Sequence, residues 1–260
     1  MFEETTRYLY EKNQLLDVVC QIRFPTILSI DSKEPAEFQE RIRDEFPKFF
    51  VRKEPAARQT PQAGGLKEEL NNYYFLTADE SWRVNLTRQF IALTCSRYER
   101  WELFASRLDK LLAAFIELYH PAYFERIGLR YINAISRKQL GLEDRPWKEL
   151  IAPDYLGFLA QEDVQERSTT QCVQNLETAL AGGCRLKLHC GLGMVQKKGQ
   201  PDQEAKFILD LDVSMGGNLP LAQVAPALST LHAHADAIFG NALTGALQDA
   251  MGPAGMESLI

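Results

Sequence analysis

Leu15-Leu16-Asp17-Val18-Val19-Cys20-Gln21-Ile22-Arg23-Phe24 is the stretch from which the fold can be read. It is dense in strand formers and it alternates. Leu16, Val18, Cys20, Ile22 and Phe24 share one face, and Asp17, Gln21 and Arg23 share the other. Pro25 ends the strand or sits at an edge. A helix start follows, with Asp31 or Ser32 as cap and Pro35 in the first turn. Phe38, Ile42 and Phe46 make one apolar stripe, which Pro47 stops. Residues 51–71 are polar and contain Pro55, Pro61, Gly64 and Gly65, so they read as a mobile loop. Short strands are predicted over 72–77, 82–87 and 90–98, with hairpin turns at Asp79-Glu80 and Arg88-Gln89. Trp101, Phe104, Leu108, Leu111, Leu112, Phe115 and Leu118 then mark a long amphipathic helix that ends at His120-Pro121.

The second half repeats this order. A long strand spans 123–135, and a helix-prone region spans 146–160. Strands are predicted over 164–176, 185–195 and 206–214, with a turn at Gly182-Gly183 and a polar hairpin loop over 197–202. Leu221, Val224, Leu228, Leu231, Ala235 and Ile238 mark a second long helix. Ile22-Arg23-Phe24 parallels Leu129-Arg130-Tyr131, and Phe90-Ile91-Ala92-Leu93 parallels Phe207-Ile208-Leu209-Asp210. The expected fold is therefore α+β. Duplicated β-α-β-β-β-α units, residues 1–121 and 122–250, form antiparallel sheet with pseudo-two-fold symmetry. The sheet is one curved layer or two apposed ones, covered by the two long helices, and residues 251–260 are a flexible tail.

Composition limits the function. The chain has 260 residues, with 29 Lys+Arg against 35 Asp+Glu, a formal net charge of −6. Such an acidic chain without basic blocks is a poor non-specific coat for nucleic acid. No apolar run approaches the ~20 residues of a membrane helix. Met1-Phe2-Glu3-Glu4 lacks the layout of a signal peptide. Cys20, Cys95, Cys172, Cys184 and Cys190 are odd in number, and none forms a C-x-x-C pair. They read as reduced structural thiols of a cytoplasmic protein. His189 and Cys190 are adjacent on a predicted strand, so they point apart and cannot easily share a metal.

Four stretches resemble a known family. They are Val18-Val19-Cys20-Gln21-Ile22-Arg23-Phe24-Pro25, Phe38-Gln39 with Phe46-Pro47, Arg126-Ile127-Gly128-Leu129-Arg130-Tyr131-Ile132-Asn133, and Leu209-Asp210-Leu211-Asp212. Together they resemble the sporadically distributed TIGR04255 family of uncharacterised bacterial proteins, across nearly the whole chain. The resemblance implies a bacterial or archaeal cytoplasmic protein from mobile, antiviral-defence-related gene neighbourhoods. It brings no catalytic residues with it.

Four groups of residues are candidate sites. Arg126, Gly128 and Arg130 share a strand face, where Gly128 leaves an opening between two guanidinium groups for a planar or anionic ligand. The predicted ligand-binding set is Arg23, Arg126, Arg130, Tyr131 and Asn133. The competing reading pairs these arginines with Asp17, Asp210 or Asp212 in an ionic network. Asp210 and Asp212, at i and i+2, are the candidate metal ligands or acid–base pair, although no partner motif accompanies them. His232 and Asp236 share a helix face that His234 does not, which reads as a surface pair. Among Tyr73, Tyr74, Phe75, Trp82, Tyr98 and Trp101, Tyr73 is expected to be the exposed exception to sheet packing.

No Walker A loop, nucleophile elbow or His-Glu-x-x-His motif occurs. The expected function is a non-catalytic binding or scaffold protein without a cofactor. Its ligand would be a partner protein or a small anion at the seam of the two halves. Two alternatives remain: a metal-dependent enzyme acting on a nucleotide or phosphodiester, and a nucleic-acid-binding accessory, which the net charge disfavours.

Overall fold

The computed structural model describes residues 8–55, 69–197, 200–201 and 204–256. Strands β1 (Tyr8–Tyr10) and β2 (Leu15–Arg23) lead to two short helices, α1 (Ser29–Ser32) and α2 (Ala36–Ile42). Four strands follow, β3 (Lys48–Pro55), β4 (Glu69–Leu76), β5 (Trp82–Leu86) and β6 (Phe90–Cys95), and then the long helix α3 (Trp101–Tyr119). Strand β7 (Phe124–Ile135) precedes the one-turn helices α4 (Arg137–Leu140) and α5 (Pro153–Leu156). Next come β8 (Val173–Ala179), β9 (Cys184–Gly193), the two-residue strands β10 (Gln196–Lys197) and β11 (Gln200–Pro201), and β12 (Lys206–Leu219). Helices α6 (Val224–Ala242) and α7 (Gly245–Met251) and strand β13 (Pro253–Met256) close the order.

The fold is α+β around one nine-stranded antiparallel sheet, in the order β3-β4-β5-β6-β2-β7-β12-β9-β8. Strands β2 and β7, which open the two predicted repeats, are neighbours at its middle, flanked by β6 and β12. A repeated unit would give such an order. The chain divides into two compact units. The first comprises Met1–Val18, Leu129–Met215 and Pro226–Ile260, and the second Val19–Gly128 and Gly216–Ala225. Strands β2, β7 and β12 each give residues to both.

In the second unit, α3 buries Phe104, Leu108, Leu111, Leu112 and Phe115, as its spacing predicts. Phe115 meets Phe24 with ring centroids 4.7 Å apart, and Phe38 meets Phe75 at 5.6 Å. The Thr77–Ser81 turn needs no glycine, because the Asp79 carboxylate accepts from the Thr77 and Ser81 hydroxyls and from the Ser81 N–H. Lys48–Pro55 is a strand, not the start of a loop, since Phe49, Phe50 and Val51 pair with Phe75, Tyr74 and Tyr73. Residues 56–68 of the predicted loop lie outside the described residues.

In the first unit, Leu228, Leu231, Ala235 and Ile238 of α6 are buried, as are Leu186, Cys190, Leu209, Leu211 and Val213 of β9 and β12. The helix predicted over 146–160 is instead a 3-10 turn at Trp147–Glu149, the short α5, and a second 3-10 turn at Gly157–Ala160. Gly157 takes a positive φ of 57°, which an α-helix cannot continue through. Strand β8 starts later than predicted. Glu166, at the head of a 3-10 turn, is held by the Trp147 N–H at 2.8 Å and by Arg137 at 2.7 Å. The C-terminal residues assigned to a tail include β13, which pairs with β1; residues 257–260 lie outside the described residues. Of the predicted 197–202 hairpin loop, 198, 199 and 202 lie outside them too, and β10 pairs with β11.

Candidate functional site

The first unit carries an open cavity of about 270 Å³ lined by Arg130, Asn175, Glu177, Lys187, His189, Asp210 and Asp212, with Leu176 and Leu188. The antiparallel register builds it. Asp210 is opposite His189, which is opposite Asn175, and one step along Asp212 is opposite Lys187, which is opposite Glu177. Residues two apart on a strand share a face, so these polar side chains form two rows on one side of β12, β9 and β8. The apolar residues between them, Leu186, Cys190, Leu209, Leu211 and Val213, point the other way into the core.

Paired side chains stand in both rows. Arg130 grips Asp210 with both sides of its guanidinium, Nε to Oδ1 at 2.7 Å and Nη2 to Oδ2 at 2.5 Å. Hydrogen bonds to Asp210 raise the Arg130 pKa, burial opposes them, and Asp212 and Asp17 add to the rise. Lys187 Nζ meets Glu177 Oε1 at 2.8 Å, and this hydrogen bond lowers the Glu177 pKa. His189 Nδ1 and Asn175 Oδ1 are 2.8 Å apart, within hydrogen-bond distance. The Arg130 side chain is 48 % exposed and that of Asp210 14 %, so the pair sits at the solvent boundary.

Tyr131 and Asn133 do not join this surface. They alternate with Arg130 and lie on the opposite side of β7, 7 % and 2 % exposed. Tyr131 Oη is 2.8 Å from His232 Nδ1, and Asn133 Nδ2 donates to the Leu209 carbonyl at 3.2 Å. His232, expected in a surface pair, is 8 % exposed, and its Nε2 is 3.9 Å from Asp236.

Arg23 and Arg126 belong to the second unit. Arg23 is half-buried. The space over Gly128 is filled by Arg126 itself, because a Cβ there would lie 2.5 Å from its Nη1. Gly128 thus seats the guanidinium of Arg126, which occupies the space predicted for a ligand. Burial pushes the Cys20 thiol up to about 12 despite the opposing charge of Arg126.

One expectation about the aromatic residues changes. Tyr73 is buried at 3 % exposure, and it is Tyr74 that faces outward, half-buried. Asp210 spends both oxygens on Arg130. Among the described residues no three His, Cys, Asp or Glu side chains gather to hold a metal. Lys187, His189, Asn175 and Glu177 were not among the predicted site residues. For Lys187 and His189 the signal was the alternation of Arg185, Lys187 and His189 with Leu186, Leu188 and Cys190. No protein-family model and no curated protein matches the chain.

Proposed function

We propose that this is a non-catalytic binding protein whose first unit recognises a partner protein through the outer face of β12, β9 and β8. One observation carries the reading: the cavity is lined by alternating, mutually paired charges, Arg130 and Lys187 against Asp210, Asp212 and Glu177. A small anion needs convergent cations. Here each of the two cations already holds a carboxylate, which an anion would have to displace. A mixed-charge lattice complements another mixed-charge protein surface, where each pair can be exchanged or shared. A metal at Asp210 would likewise have to displace a bidentate guanidinium.

The test reverses charge without touching the core. Full-length protein is used as bait in lysate from its native cells, beside the Glu177→Lys plus Asp212→Lys variant. Wild type is expected to retain a partner that the variant releases, at an unchanged melting temperature. Equal capture by both proteins, or capture of nothing, would overturn the assignment.

A further inference from the structure

The outer face of the second unit's β3, β4 and β5 holds a second, chemically different surface. Phe50 and Tyr74 are cross-strand partners and their rings stand face to face, centroids 4.6 Å apart and planes 11° apart. Arg52 lies over both rings, 5.1 Å from the Phe50 centroid and 5.6 Å from that of Tyr74. Phe50 is 37 % exposed and lies on β3, which stands at one end of the strand order.

A hydrogen-bonded chain fixes this arrangement from below. Arg83 Nε donates to Asn85 at 3.2 Å, Asn85 donates to Asn72 at 3.0 Å, and Asn72 donates to Glu54 at 2.9 Å. The Tyr74 hydroxyl donates to the other Glu54 oxygen at 2.5 Å. Asn72 and Asn85 are 4 % and 7 % exposed, so the floor is a built polar network. It holds the Tyr74 ring upright and aims Arg83, which is exposed, outward along the same face.

We infer that this face binds single-stranded nucleic acid, with a base stacked on Phe50 and the phosphate backbone met by Arg52 and Arg83. Aromatic rings accept any base by stacking, and guanidinium groups beside them take the phosphates. The protein's net charge opposes non-specific coating, but on this face Arg52 and Arg83 stand against Glu54, while Lys48 is paired with Glu80 at 2.8 Å. This site is separate from the proposed protein-binding face, and the two readings fail independently.

The test is fluorescence anisotropy of the full chain with a short labelled oligothymidylate at low and moderate salt. Saturable binding is expected. Its affinity should fall with salt by a slope of about −0.7 per phosphate neutralised. Phe50→Ala should weaken it by about tenfold or more at an unchanged melting temperature, and Arg52→Ala plus Arg83→Ala should flatten the salt slope. Arg130→Ala, in the first unit, should leave it unaltered. No binding at low salt, or binding that Phe50→Ala leaves intact, would overturn the inference.

Discussion

Arg130 shows how one side chain can be prominent without being a ligand hook. Its guanidinium is committed to Asp210 in a bidentate pair that is half in solvent. The Asp210 carboxylate is only 14 % exposed and would lose its bidentate partner, so Arg130→Ala should cost about 1–3 kcal/mol in urea unfolding. A much larger loss would mean that the pair is structural. At Glu54 the hydrogen bond from Tyr74, with that from Asn72, holds the carboxyl below its ordinary pKa, against burial. The folded pKa is depressed, so the stabilisation is present above the unfolded value. It is lost as pH falls through the folded one. Glu54→Gln should therefore flatten the acid limb of the stability–pH curve measured by urea midpoints. Burial pushes Cys20 to about 12 and Cys190 to about 11, so both thiols stay protonated at neutral pH. In the folded protein a thiol reagent should reach half-buried Cys172 first and leave Cys20 and Cys190 until unfolding. Equal reaction rates would contradict that burial.

At the scale of elements, α3 is anchored by Phe115, fully buried against Phe24. Phe115→Ala should cost about 3–5 kcal/mol, the usual loss for a buried phenylalanine. The same helix ends on His120 with φ 46° and ψ 53°, a left-handed cap that glycine fills without strain. His120→Gly is therefore expected to raise stability by about 0.5–1 kcal/mol, and a loss would show that the histidine side chain matters there. These helices were legible in the sequence because their stripes are long and unbroken. The error at β3 has a physical cause. Pro47 before it, and Arg52, Lys53 and Glu54 within it, look like loop chemistry, yet an edge strand is where charged side chains and proline are tolerated. The error over 146–160 is similar, since apolar spacing signalled a helix that Pro153 and Gly157 divide into single turns.

For the whole molecule, the α+β class and the antiparallel sheet were readable because strand alternation and turn chemistry agree along most of the chain. Among the described residues, no helix is long and apolar enough to cross a membrane. The candidate site was readable only in part. Arg130, Asp210 and Asp212 were visible as polar residues in apolar strands, but their neighbours depend on register, which no single strand reveals. The same alternation removed Tyr131 and Asn133 from the Arg130 surface. The central claim is recognition of a partner protein through that surface. It is tested most directly by placing a photo-crosslinking residue at Glu177 or His189 in native cells, with Lys33 of the second unit as control position. Positions 177 and 189 should give the same discrete protein adduct, absent from the control. Adducts indistinguishable from the control, or none at all, would contradict the account.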